Sequence, residues 1–283
     1  MKKTVSIILA LIISASSAAL AGCVSKKQAE QQPTLAAQSE ISSVPENNET
    51  TAEQTTQQGT TAMSDEAAKY KPNAQKLLDY VGKSVDMSLY STEEQPGVGF
   101  FQFYFSPKSE IKPVMDPIVS EIELPGFVTV KLGMQYKELQ ALGFQNPEWD
   151  DKEVEAGYSD FYYSRIPDKQ GSAIGHGLFN RTGATAKHSE CVVDTFDVSM
   201  DSTGSLWNYH GITGESTIED IVKILGTPDL KSNVLIENEF RGEIKLVYNN
   251  HDDKKMQTVF KFEYEFSTDK VTFKELQVQN YRP

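Results

Sequence analysis

Cysteine, histidine, tryptophan and arginine are all scarce in this chain: 283 residues hold two, four, two and four of them. That scarcity removes whole classes of chemistry. No C-x-x-C pair, H-E-x-x-H helix, G-x-S-x-G elbow, phosphate-binding loop or dinucleotide glycine pattern occurs. His176, His188, His210 and His251 never stand at ligand spacing on one helix. The nearest thing to a metal cluster is "HSEC" (188–191). Strand periodicity would put His188 and Glu190 on one face and Cys191 on the other, so the stretch reads as a solvated strand edge with a buried thiol. A reactive thiol needs electropositive, partly exposed surroundings, whereas Cys191 is flanked by Glu190, Val192, Val193 and Asp194. The expectation is no metal, no cofactor and no catalytic residue. A carboxylate hydrolase stays as an alternative, because two catalytic carboxyls leave no motif among 40 acids.

Long apolar runs are missing as well. "VSIILALII" (5–13) falls well short of the roughly 20 residues of a spanning helix. With Lys2 and Lys3 before it and the small residues of "SASSAALAG" (14–22) after it, residues 1–22 read as a secretory signal. Leu20-Ala21-Gly22-Cys23 resembles the lipobox of bacterial lipoproteins at all four positions. The resemblance implies cleavage before Cys23, lipidation of its thiol and an anchor on the extracytoplasmic face of a cell membrane. That leaves Cys191 as the one free thiol and rules out an intramolecular disulfide, so the folded head must be held by packing alone.

From Cys23 to residue 65 there is no aromatic residue and there are few large aliphatics, only Gln, Glu, Ser, Thr and Ala in quantity. Such a segment cannot bury enough apolar surface to offset its ordering entropy. It reads as a tether with an end-to-end distance of roughly 35–40 Å. Positive charge is short overall: the chain is net −13, and loss of the signal makes it two units more negative. That balance argues against nucleic acid and against adhesion to anionic headgroups, and it permits a basic partner. Four arginines against 23 lysines hint at a low-GC Gram-positive bacterium.

The remainder, 66–283, is rich in patterned segments. In "STIEDIVKILGTPD" (216–229) Ser216 and Glu219 fit a capping box, and Ile218, Ile221, Val222 and Leu225 form one stripe. Gly226 and Pro228 then end the helix. "TVFKFEYEF" (258–266) alternates strictly, "STDK" turns the chain, and "VTFKELQVQ" (271–279) returns with a phase slip between Phe273 and Leu276 that predicts a bulge. "VLIENEF" and "EIKLVYN" pair as a second hairpin around Arg241-Gly242. A shorter stripe at Tyr136, Leu139 and Leu142 ends at Gly143 and precedes strand candidates at 158–166, 173–180 and 191–200. The spacing from Gly133 to Gly214 makes each unit about 81 residues long. A third helix is capped by Asn73, carries Ala74, Leu77, Leu78 and Val81, and stops at Gly82, ahead of a doubly covered strand at 98–105.

"LGMQYKELQALGF" and "ITGESTIEDIVKILGTPD" resemble the turn-helix-turn that opens β-lactamase-inhibitor-protein-like modules and the small outer-membrane assembly lipoproteins. The resemblance implies an α+β fold, short helices packed on antiparallel sheets, that works by binding macromolecules and carries no catalytic residue. The expected organisation is a signal (1–22), a lipidated tether (23–65), an N-terminal helix-strand segment (66–127) and two helix-plus-sheet modules (128–204 and 205–283). Trp149, Trp207 and Tyr209, with "DFYYS" (160–164), are the aromatics that a core assignment absorbs least easily, and Trp and Tyr are enriched in interface hot spots. The expected activity is a non-enzymatic protein-interaction module at the cell surface with a protein partner in the envelope. The alternative is a small-ligand or glycan-binding sensor or transport accessory.

Overall fold

A computed structural model describes residues 65–112, 114, 121–124, 129–166, 173–201, 207–249 and 256–280. The expected signal, Cys23 and the expected tether up to residue 64 lie outside the described residues. Among these residues no helix is long and apolar enough to cross a membrane.

The first helices are α1 (Asp65–Ala68) and α2 (Lys71–Val81). In α2 the expected stripe Ala74, Leu77, Leu78 and Val81 is buried, but the helix begins earlier than its sequence suggests. Tyr70 stands at the cap and Pro72 in the first turn, where its missing N–H costs nothing, so Asn73 is inside the helix rather than capping it. Strands β1 (Tyr90–Pro96) and β2 (Phe101–Pro107) pair antiparallel, and β3 (Glu121–Glu123) with β4 (Thr129–Lys131) forms a separate two-stranded ladder. Helix α3 (Tyr136–Ala141) ends in a Schellman motif: the Phe144 N–H donates to the Leu139 carbonyl and that of Gly143 to the Gln140 carbonyl. Gly143 takes φ +91°, which a side chain would resist.

β5 (Glu153–Val154) pairs β8 (Ala186–Lys187) as a second small ladder, while β6 (Ser159–Arg165), β7 (Ala173–Phe179) and β9 (Val192–Ser199) form a meander. Helix α4 (Ile218–Leu225) buries Ile218, Ile221 and Leu225. Its capping box sits one residue later than the sequence suggests: Thr217 Oγ1 accepts from the Asp220 N–H, and Asp220 Oδ2 accepts from the Thr217 N–H. Ser216 Oγ instead accepts from the Thr213 N–H in the preceding turn.

β10 (Ser232–Ile236), β11 (Arg241–Asn249), β12 (Met256–Glu265) and β13 (Lys270–Asn280) follow as a second meander. The predicted bulge is present: Phe262 pairs Phe273 while Lys261 pairs Glu275, which leaves Lys274 extra. The β10–β11 turn falls at 237–240, so Arg241 and Gly242 lie within the strand. A β-carbon on Gly242 would stand 2.6 Å from Leu77 Cδ1 and 2.5 Å from Ile236 Cδ1, so the glycine marks where α2 closes on β11.

The tertiary arrangement departs from separate sheets. β2 pairs β10 and β9 pairs β13, giving one nine-stranded antiparallel sheet in the order β1-β2-β10-β11-β12-β13-β9-β7-β6. Sheet strands from 66–127, 128–204 and 205–283 are joined edge to edge, and one buried cluster runs from Ala74 to Val278. The strand order reverses at β13–β9, where the two meanders meet through their last strands. The coarse class is thus an antiparallel β fold with a few short helices.

Candidate functional site

Alternation along the long strands sorts side chains onto two faces. In β12, Phe260, Phe262 and Tyr264 are buried, while Lys261, Glu263 and Glu265 point the other way and stay half-exposed. Cross-strand register then lines up Glu275, Lys261, Lys245, Asn233 and Tyr104 from β13 to β2. A parallel row runs Tyr163, Gly175, Asp197, Gln277 and Val259 from β6 to β12. Together these rows form a broad outward face.

Two shallow hollows lie on it. One, of about 400 Å³, is lined by Arg241, Glu243, Lys261, Glu263, Lys274 and Glu275. The other, of about 370 Å³, is lined by Tyr104, Lys231, Asn233, Lys245, Gln257 and Gln279. Charge is paired across strands: Lys261 Nζ meets Glu275 Oε1 at 2.6 Å, and Arg241 meets Glu263 at 3.3 Å. The Lys231 ammonium lies 3.9 Å from the centre of the Tyr104 ring.

Asp197 is nearly sealed from solvent on this face, at 5 % exposure. Its carboxyl is pushed up to about 7, first by burial and then by the Glu275 carboxylate beside it, with the Lys261 ammonium pulling the other way. Asp197 Oδ1 meets no donor among the described residues. Two ionised carboxylates are both acceptors, so Asp197 and Glu275 join in a hydrogen bond only while one carries a proton. Burial likewise raises Glu243 and Tyr163, and for Tyr163 the charges of Asp197 and Glu275 add to it.

Beside Asp197 the sheet is bare of side chain. A β-carbon built on Gly175 would lie 2.7 Å from Phe161 Cζ, 3.0 Å from Asp197 Cβ and 3.2 Å from Tyr163 Cε1. Those two rings meet edge to face at 5.5 Å and remain 42 % and 47 % exposed.

The aromatics singled out by sequence are placed otherwise, and the structure does not bring them together. Trp207 and Tyr209 are 0 % exposed, which corrects their reading as a binding loop. Trp207 packs on Phe273 with ring centres 5.3 Å apart, and the Tyr209 hydroxyl meets Thr258 Oγ1 at 3.1 Å beneath the sheet. Their apolar surface is spent on the core. Trp149 is half-buried, parallel to Tyr162 at 6.5 Å, with the Lys152 ammonium 3.1 Å from the centre of its ring. Of "DFYYS", Tyr162 turns inward while Phe161 and Tyr163 turn outward. Asp197, Glu275 and Lys261 were missed by sequence reasoning. Strand parity in "TFDV", "FKFE" and "KELQ" places each on a polar face, and the 258–279 hairpin puts the strands of Lys261 and Glu275 together, but nothing local says that the strand of Asp197 adjoins them.

"HSEC" is a 3-10 turn rather than a solvated strand edge. His188 is fully buried, its Nδ1–H donates to the Trp149 carbonyl at 2.7 Å, and its Nε2 lies 3.1 Å from Asp160 Oδ2. Cys191 is 1 % exposed, and its Sγ donates to the Lys187 carbonyl at 3.4 Å. Burial first, then Glu190 and Asp160, raises the thiol above its usual range. Cys191 in the native protein is therefore expected to resist a maleimide at neutral pH, with labelling appearing only in denaturant by mass spectrometry. His176 is also buried, and burial pushes it down to about 3, so it is neutral at physiological pH. Among the described residues no three His, Cys, Asp or Glu side chains are grouped to hold a metal ion.

No family model matches this chain, and neither a curated protein nor a solved structure is found to match it.

Proposed function

We propose that this chain is a lipid-anchored extracytoplasmic protein whose head binds a partner protein through the outward face of its sheet, without catalysing a reaction. The supporting observation is the face itself: a row of half-exposed side chains, Glu275, Lys261, Lys245, Asn233 and Tyr104, beside two open hollows. Broad shallow surfaces suit macromolecules, whereas small-molecule sites are concave and mostly apolar. In this reading α3 with β6, β7 and β9, and α4 with β10–β13, are two helix-plus-sheet modules whose helices cover the other side, so that one face is free for binding. Cys23 would hold the head at the membrane, with residues 23–65 as the spacer.

A small-ligand or glycan sensor is the second reading. It rests on the hollow between Arg241 and Glu275, whose polar lining and volume of about 400 Å³ would hold one small polar molecule.

The test is a photo-crosslinking amino acid at Gln257, on the outward face, and at Lys137, on α3, in cells that express the chain. A discrete crosslinked protein from Gln257 and none from Lys137 is the expected result. Equal products from both sites, or none from Gln257 together with a thermal shift caused by a sugar, would overturn the protein-binding reading.

A further inference from the structure

Building on the binding role proposed above, we infer that the hollow between Lys231 and Lys245 receives an acidic side chain, an aspartate or glutamate, of the partner protein. The two hollows of the outward face differ in charge. The one at Arg241 holds its own counter-ions: Lys261 meets Glu275 at 2.6 Å, and Arg241 and Lys274 meet Glu263 at 3.3 and 3.6 Å. The other, of about 370 Å³, is lined by two lysines, and among the described residues no acid lines it. Lys245 makes no ion pair among the described residues, and Glu243, two residues before it, acts on it only through space. Lys231 meets Glu93 at 3.4 Å across side chains that are 51 % and 69 % exposed, a loose pair of the kind that contributes little.

The lining suits a carboxylate on a short aliphatic stem. Val247 and Val259 pair across β11 and β12 and form an apolar floor against which methylene groups can pack. Around that floor Lys245, Asn233 and Gln257 stand half-exposed. Gln279 Nε2 donates to Gln257 Oε1 at 3.3 Å, which leaves the Gln257 amide nitrogen as a donor. A carboxylate accepts from ammonium and amide groups together, and such charge-assisted bonds are the strong ones. A phosphate-bearing polymer fits less well, because neither an arginine fork nor a helix N-terminus lines the hollow among the described residues. The whole chain is net −13. At physiological salt, however, exposed charges are screened beyond about 8 Å, so the lining rather than the total sets the charge that the hollow accepts.

Titration calorimetry of the full chain at physiological salt tests this with four probes: a capped hexapeptide of alternating glutamate and serine, its glutamine counterpart, glutarate and inorganic polyphosphate. The glutamate peptide should bind and the glutamine peptide should not. Lys245→Gln should weaken the glutamate peptide by about 5-fold or more, because a charge-assisted bond in a half-exposed hollow is lost. Lys231→Gln combined with Lys245→Gln should abolish its binding. Glu93→Gln should not weaken it, since Lys231 is then released, and Lys137→Gln, on α3, should leave it unchanged; circular dichroism confirms that each variant is folded. Equal affinity for wild type and the double variant, no binding of the glutamate peptide, or glutarate binding as tightly as the hexapeptide each overturns the inference. So does polyphosphate that binds more tightly than the peptide and depends on Lys245, which would make the ligand an anionic polymer. The broader reading is tested separately. Gln257 stands in the wall of this hollow. If its crosslink persists unchanged in the double variant, the face binds its partner by other contacts and only the acidic assignment falls.

Discussion

Truncating Trp207 to Ala should destabilise the protein by about 3–5 kcal/mol, the range for removing a large aromatic from a core. The residue is fully buried and leans on Phe273, which itself meets Phe260 and Phe262 edge to face, so its removal opens a void in a chain of packed rings under β12 and β13. The next residue is tied by two backbone hydrogen bonds between Asn208 and Glu123, at 2.7 and 2.9 Å, and Tyr209 and Ile212 bond each other reciprocally. The backbone is therefore held and cannot collapse fully into the space, which puts the cost toward the upper part of that range. Trp207 Nε1 meets no acceptor among the described residues, so Trp207→Phe forfeits volume without losing a hydrogen bond and should cost clearly less. Urea unfolding followed by fluorescence and circular dichroism measures both. A loss below about 1 kcal/mol for Trp207→Ala would contradict its place in the core.

The second large effect is a pH dependence carried by Asp197. Its carboxyl stands near 7 in the folded chain against about 3.9 in an unfolded one. Between those values the folded state binds the extra proton, so stability falls as pH rises. The contribution is fully present below about pH 4, is lost progressively as pH approaches 7, and is flat above. The displacement bounds it at about 4 kcal/mol, and the neighbouring Lys261 ammonium, which opposes the shift, is already included in that value. Asp197→Asn removes the titrating group while its amide can still donate to Glu275. The variant should therefore show a flatter profile from pH 4 to 7 and exceed the wild type in stability at pH 8. Glu243, raised by burial in the same direction, leaves a smaller slope of the same sign behind. Guanidinium unfolding at pH 4, 5.5, 7 and 8 reads this directly, and a variant that is less stable than wild type at pH 8 would show that Asp197 is not strained by burial.

Much of the local structure was legible because its causes are local. The stripe Ile221, Leu225, the positive-φ glycines at 143 and 226, the alternation of 258–266 and the slip after Phe273 depend only on residues within one or two turns or one hairpin. Where several local choices were nearly equal, the boundary moved. Ser216 and Thr217 are both good caps, and Thr217 is the one used; Asn73 was outcompeted because Pro72 lets the helix start before it.

The candidate face was legible only in pieces. Phe161 and Tyr163 lie in a stretch marked by its aromatics, but Trp207 and Tyr209 carried the same mark and are core. An aromatic near a helix start looks the same in sequence whether it covers a partner or a neighbouring strand.

The sequence by itself determined the strands of the two meanders and which of their side chains share a face, because a period of two residues is a property of the backbone, while β1 and the strands of the two small ladders were not read from it. It also determined the absence of a disulfide framework once Cys23 is read as lipidated, and the acidic balance of the chain. Only the tertiary structure decided that β2 joins β10 and β9 joins β13, so that three expected segments share one sheet. Edge pairing is set by which strand ends the rest of the fold brings into register, across separations of more than 70 residues, and no local pattern encodes it. Asp197 and Glu275 stand on β9 and β13, and they came side by side only when those two edges met.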